Sequence, residues 1–190
     1  LVMVTGLGPV GNLGAQIFQS CGYQVLVVDP DPTRQELANH VGLNRVYASV
    51  PKDDPTVAGQ VALQLECSGH EQAAVDGCHV LQKYGELSQI GAPWSQRNNA
   101  TAHELLRLIF FNYLTVRSGW EWQLPNHPTT FRRGSIFENY AAGLQWLHEG
   151  RVKVDGLYDL MNPQKAQDAY QDILHRRLTV LAPMFDWRGM

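Results

Sequence analysis

A doubly wound α/β fold, a parallel six-stranded sheet followed by a C-terminal α+β extension, is what this sequence predicts, and three observations predict it. Short β-type runs alternate with helix-type stretches through residues 1–118. The early runs are almost continuously apolar, as strands are when helices cover both faces of a parallel sheet. The stretches between them are long enough to serve as the crossovers that parallel neighbours require.

LVMVT (1–5) reads as a buried strand, and PVGNLGAQIFQSCG as a helix stopped at Gly22. YQVLVVD (23–29) is the second strand; PTRQELANHVG is the next helix, with Pro32 in its first turn and Gly42 past its end. RVYAS (45–49) gives a short third strand and KDDPT a polar loop. VALQLEC (61–67) is the fourth strand, HEQAAVDGCHVLQ a helix and GELSQIGA (85–92) the fifth strand. AHELLRLIFF is a further helix leading into YLTVRSG (113–119), the sixth strand.

After Gly119 the pattern changes. WEWQLPNHPTTFRRGS has no period and reads as a connection, so residues 119–190 form a separate C-terminal segment. Within it, IFENYAAGLQWLHEGR (136–151) is an amphipathic helix with Ile136, Tyr140, Leu144 and Leu147 near one face. GLYDLM, PQKAQDAYQDILH and LTVLAPMF then read as strand, helix and strand.

Composition narrows the function classes. Of 190 residues, 44% are hydrophobic and 17% charged, which suits a folded domain with its own core. Fifteen basic against eighteen acidic residues give a charge of -3 with no basic block beyond Arg132-Arg133 and Arg176-Arg177. That excludes a nucleic-acid footprint and argues against a membrane surface. Cys21, Cys67 and Cys78 form no C-x-x-C pair and suit reduced thiols, hence a cytoplasmic setting. The seven histidines are scattered, Cys67 and His70 being the only close Cys/His pair, so no metal site is expected in this chain. No G-x-S-x-G elbow points to a hydrolase.

The most informative stretch is VTGLGPVGNLGAQ, residues 4–16. Gly6, Gly8 and Gly11 have the spacing G-x-G-x-x-G, directly after a strand and at the start of a helix. In that context the first glycine permits the tight turn, the second lets the backbone approach a pyrophosphate, and the third lets helix and strand pack closely. The phosphates would meet the free N–H groups and positive dipole of the helix beginning near Pro9. The fingerprint also asks for an acid about 20 residues on, at the end of the second strand. Asp29 stands there, placed to accept the ribose hydroxyls of an adenosine and to repel a 2′-phosphate, which favours NAD over NADP. Arg34, one turn into the following helix, could lie over the adenine or its phosphates.

With these residues in place the chain resembles the coenzyme half of the medium-chain dehydrogenases, the zinc-type alcohol and polyol dehydrogenase superfamily, whose coenzyme domain is of the Rossmann type. The resemblance rests on VTGLGPVG (4–11), VLVVDPDPTRQELANHVG (25–42), LECSG (65–69) and GELSQIGAP (85–93), and less specifically on the tail LQWLHEGRVKVDGLYDLMNPQKAQDAYQDI. It implies Gly6, Gly8, Pro9, Val10 and Gly11 at the pyrophosphate and nicotinamide, with Val10 behind the ring, and Asp29 and Arg34 at the adenosine. It places Cys67 and Ser68 at the end of the fourth strand and Ile90, Gly91 and Ala92 at the end of the fifth, with Ser118 a weaker candidate after the sixth. Residues 119–190 would be the portion that returns to the substrate domain. In that family an N-terminal domain precedes the glycine turn and carries the catalytic zinc ligands and the proton relay. The chain is therefore expected to be a fragment, an isolated domain or a protein without its catalytic half, binding NAD and inactive alone.

The function expected is the NAD(H)-binding part of an oxidoreductase moving a hydride between an alcohol or sugar carbon and nicotinamide. Two alternatives stay open: a non-catalytic dinucleotide-binding or redox-sensing module, and a fold using the turn for another nucleotide, such as the nucleoside cosubstrate of a methyltransferase. The tryptophans at 120, 122 and 146, with Phe110 and Phe111, are more apolar surface than the chain is expected to cover, so a homo-oligomer is expected.

Overall fold

The computed structural model describes residues 1–119, 123–132 and 134–188. Its first part runs β1 (Val2–Thr5), α1 (Pro9–Ser20), β2 (Val25–Val28), α2 (Pro32–His40), β3 (Val46–Tyr47), β4 (Val61–Glu66), α3 (Glu71–Val80), β5 (Leu81–Gln89), α4 (Ala102–Asn112) and β6 (Thr115–Ser118). The strands form one sheet in the order β3-β2-β1-β4-β5-β6, every neighbouring pair parallel. The order reverses between β1 and β4, the kind of switch point above whose strand carboxyl ends ligands bind in such sheets.

Alternation along each strand separates two cores. Met3, Leu26, Val28, Val61 and Leu87 join Ala74 and Cys78 of α3 on one face, where Leu105, Leu108 and Ile109 of α4 also pack. Val2, Val4 and Val27 join Ala15 of α1 and Ala38 of α2 on the other. Both sheet faces are thus covered, which is why β1 and β2 read as near-continuous apolar runs.

Local capping sets the helix starts. The Asp31 carboxylate accepts from Thr33 N and precedes Pro32 in α2, and the Thr101 hydroxyl accepts from Glu104 N in α4. Gly8, at the head of α1, has no side chain to cap with.

The fifth strand departs from the sequence reading. It begins at Leu81, directly after α3, and ends at Gln89, so Ile90, Gly91 and Ala92 lie in the turn beyond it. The early start was hidden because exposed Gln82, Lys83 and Tyr84 interrupt the apolar pattern at a register shift against β4, with Tyr84 left-handed at φ 64°.

The C-terminal segment holds α5 (Ile136–His148), β7 (Tyr158–Met161), a 3-10 turn (Pro163–Lys165), α6 (Ala166–Leu174) and β8 (Ala182–Phe185). β7 and β8 pair in parallel as a separate two-stranded sheet. The segment is tied to α1 by Gln16, whose side chain donates to Lys153 O (3.0 Å) and accepts from Lys153 N (2.7 Å). Leu157 is buried in the second core beside α1 and α2.

The apolar stripe of α5 is not covered: Tyr140, Leu144 and Leu147 are exposed, and no residue of the helix is buried. Phe110 and Phe111 are exposed too, whereas Trp146 is half-buried under the Arg151 guanidinium. Trp120 and Trp122 lie outside the described residues. Cys21 is exposed, not enclosed by the apolar neighbours it has in sequence, and all three cysteines are free thiols.

Candidate functional site

The glycine turn links β1 to α1 above the switch point. Gly6 has φ +87°, a left-handed conformation that favours glycine, and a Cβ there would also lie 2.6 Å from Ser68 N. A Cβ on Gly11 would fall on the Gly6 carbonyl oxygen and 3.3 Å from Cys67 Cβ, so the third glycine is demanded by the closeness of helix and turn. Gly8 is different. Its backbone is ordinary (φ -64°, ψ -175°) and nothing lies within 4 Å of the place a Cβ would take. The space in front of Gly8 is open at the head of α1, where Asn12 N makes the first i→i−4 bond, to Gly8 O. The Val10 and Gly11 N–H groups precede that bond and Pro9 has no N–H, so an anion seated there would meet backbone donors and the positive helix end. Val10 is 59% exposed beside this opening.

Asp29 stands just past the end of β2, beside the glycine turn. Its carboxylate is buried, 3% exposed, and accepts from Leu7 N (2.7 Å), Asp31 N (2.9 Å) and, more weakly, Arg34 Nη1 (3.3 Å). Oδ2 takes two of these donors and Oδ1 one, so one acceptor direction remains, on Oδ1. Arg34, with a side chain 45% exposed, lies over the carboxylate and is free to swing aside. Asp29 therefore has a structural duty that the sequence reading did not give it, holding the glycine turn to the end of β2.

On the other side of the switch point, the ends of β4 and β5 meet. Cys67 and Ser68 back the glycine turn, a Cβ on Gly91 would strike Gly69 N, and one on Gly69 would lie 2.5 Å from Ala92 O. Ile90 N and Gly91 N both donate to Glu66 O at 2.8 Å. Gly6, Gly11, Cys67, Ser68, Gly91 and Ala92 are thereby brought into one backbone-to-backbone cluster, with Ile90 at its margin. Ser118 ends exposed β6. Burial, with the Glu66 charge as a lesser cause, pushes the Cys67 thiol up to about 12, so it is no nucleophile near neutral pH.

Sequence reading passed over Glu66, the residue that organises this cluster. It is the last residue of β4, fully buried, and its carboxylate accepts from Ser68 N (2.7 Å), Ser68 Oγ, Gly69 N (3.1 Å) and Gln89 Nε2 (2.7 Å). Burial pushes its carboxyl up, against the pull of these donors. The available signal was a carboxylate closing an otherwise apolar strand, VALQLEC. Among the described residues, no three His, Cys, Asp or Glu side chains converge as metal ligands, and no helix is long and apolar enough to cross a membrane.

Known proteins of this architecture can now be set beside it. A family model described as zinc-binding dehydrogenase matches residues 9–132. An L-threonine 3-dehydrogenase of Pyrococcus horikoshii is 34% identical over 178 residues, covering 90% of this chain and 46% of the relative. A sorbitol dehydrogenase of Halalkalibacterium halodurans is 33% identical over 99 residues, covering 48% of this chain and 29% of the relative. Among solved structures, acetophenone reductase from Geotrichum candidum in complex with NAD superposes with a TM-score of 0.74 at 13% identity, over 100% of this chain and 49% of that one. The chain thus spans about half, or less, of the length of the proteins it matches. The family match takes in more than half of the chain and most of its six-stranded sheet, and the chain belongs to the zinc-binding dehydrogenase family, the zinc-type medium-chain dehydrogenases.

Proposed function

We propose that this chain binds NAD(H) across the carboxyl edge of its sheet and forms the cofactor-binding part of an alcohol or polyol dehydrogenase. The observation that carries this reading is the contrast among the three glycines: Gly6 and Gly11 are closed against protein, while Gly8 faces open space at an uncapped helix start. A pyrophosphate fits that cradle. Residues 1–118 would bind the dinucleotide and residues 119–190 would return to the substrate domain. Gly6, Gly8, Pro9, Val10 and Gly11 would hold the pyrophosphate and the adjoining nicotinamide, Asp29 and Arg34 the adenosine, and Cys67, Ser68 and Ile90–Ala92 the far nucleoside.

Bound NAD supplies the hydride acceptor or donor for an alcohol or sugar carbon. The chain's residues bind and orient it. A zinc ion, the Lewis acid expected to polarise the substrate oxygen in the whole protein, fits no side-chain cluster among the described residues, so its ligands are assigned to other sequence. NAD is favoured over NADP because the buried acceptor at the end of β2, Asp29, is a carboxylate, and the adjacent Arg34 is already turned toward Asp29 and Asp31.

Calorimetric titration with NADH and NADPH tests the reading. NADH should bind at least tenfold more tightly, and Asp29→Ala, checked for folding by thermal melting, should erase the difference. Failure of both nucleotides to bind the folded chain would overturn it. We also propose a homo-oligomer through the uncovered face: β6 is an edge strand, and Leu106, Phe110 and Phe111 of α4 stand exposed near it in sequence. Sedimentation showing a monomer at every concentration would refute that.

A further inference from the structure

Glu66 is buried without a counter-ion. None of the ion pairs among the described residues involves it, and its partners are all neutral dipoles. Three of them, Ser68 N–H, Gly69 N–H and the Gln89 amide, donate at these contacts, so the arrangement favours the ionised carboxylate; the Ser68 hydroxyl is the one partner that could accept a carboxyl proton. Register places Glu66 beside Thr5 of β1 and Gln89 of β5, across the switch point from Asp29. If Asp29 takes the adenosine, the second nucleoside falls on the β4–β6 side, over the turn that Glu66 holds.

We propose that Glu66 is a positioning residue with an electrostatic function: its fixed negative charge under the far-nucleoside half of the site favours the oxidised, cationic nicotinamide over the reduced, neutral one. This rests on the NAD(H) reading above. The oxidised ring carries a positive charge and the reduced ring does not, so a nearby buried anion stabilises one ligand and leaves the other almost untouched. The Ser68, Gly69 and Gln89 donors hold the charge in place without cancelling it, and solvent is kept from screening it. A purely structural clamp would act on both ligands alike.

The test compares affinities for NAD+ and NADH, by calorimetry and NADH fluorescence, in unmodified chain, Glu66→Gln, Glu66→Asp and Gln89→Lys. A unit charge about 12 Å from the ring, at an effective dielectric of about 20, predicts that Glu66→Gln raises the ratio Kd(NAD+)/Kd(NADH) by about tenfold, equivalent to about 30 mV in the potential of the bound couple. Glu66→Asp keeps the charge and should weaken both ligands with the ratio held within about twofold. Gln89→Lys places an ammonium against the intact carboxylate and should raise the ratio as Glu66→Gln does, so it decides the matter if Glu66→Gln does not fold. Equal weakening of both ligands in Glu66→Gln, or an unchanged ratio in Gln89→Lys, would overturn the inference and leave Glu66 a structural clamp. Unmodified chain that binds neither nucleotide would instead refute the NAD(H) reading itself.

Discussion

Replacing Gly8 by alanine should separate binding from folding. The backbone at Gly8, φ -64° and ψ -175°, is one that alanine adopts, and its Cβ would meet no atom within 4 Å. Alanine is a poorer helix N-cap than glycine, by about 0.5–1 kcal/mol. Against this, it restricts the unfolded chain and so contributes about 0.4–1 kcal/mol to stability. The two nearly cancel, leaving a net change within about 0.5 kcal/mol. At about 2–4 °C per kcal/mol for a chain of this size, the melting temperature should move by no more than about 2 °C. Binding should respond quite differently. The new methyl would stand where, on the proposed reading, a pyrophosphate approaches the Val10 and Gly11 N–H groups. Losing one charge-assisted hydrogen bond, about 1.5–3 kcal/mol, lowers affinity by about ten- to a hundredfold. Thermal melting and NADH fluorescence titration on the same preparation give both quantities. If Gly8→Ala melts as the unmodified chain does and binds NADH equally well, the open space before Gly8 is not the phosphate cradle and the reasoning fails.

Gly11→Ala is expected to do the opposite: its Cβ would land on a backbone oxygen, Gly6 O, which cannot rotate away. Overpacking of this kind costs about 1–3 kcal/mol, and a melting temperature lowered by less than about 2 °C would show that the turn is looser than described. Gln16→Ala removes both bonds to the Lys153 backbone and should cost about 1–3 kcal/mol. Hydrogen exchange at the Lys153 amide should accelerate, and unaltered protection there would sink the role given to Gln16. Burial pushes the Cys67 and Cys78 thiols up to about 12, while Cys21 is exposed, so at pH 8 iodoacetamide should modify Cys21 first and the other two far more slowly. Because those two folded-state values are raised, their contribution to stability is complete below the unfolded thiol range near pH 8.5–9. It declines as pH climbs from there through about 12. Alkaline melting curves that stay flat above pH 9 would contradict it.

The sequence by itself determined the elements and the class of site. The eight strands of the described residues and the helices between them were legible because apolar period and glycine or proline punctuation are local properties, written residue by residue. The glycine turn was legible for the same reason: a strand, three glycines at fixed spacing and a helix lie within one short stretch, and Asp29 follows at a set distance. Tertiary structure alone decided the rest. The strand order around β1 and β4, which sets the switch point, depends on which strands pair, and no single strand encodes its neighbours. The start of β5 at Leu81 depended on its pairing with Val61 through a register shift. The α5 stripe has the right period for a core-facing helix and yet faces outward, because period records that a face is apolar and not whether anything covers it. Glu66 shows the limit most clearly. Its four donors come from Ser68, Gly69 and Gln89, the last on a different strand, and only the fold brings them around one buried carboxylate.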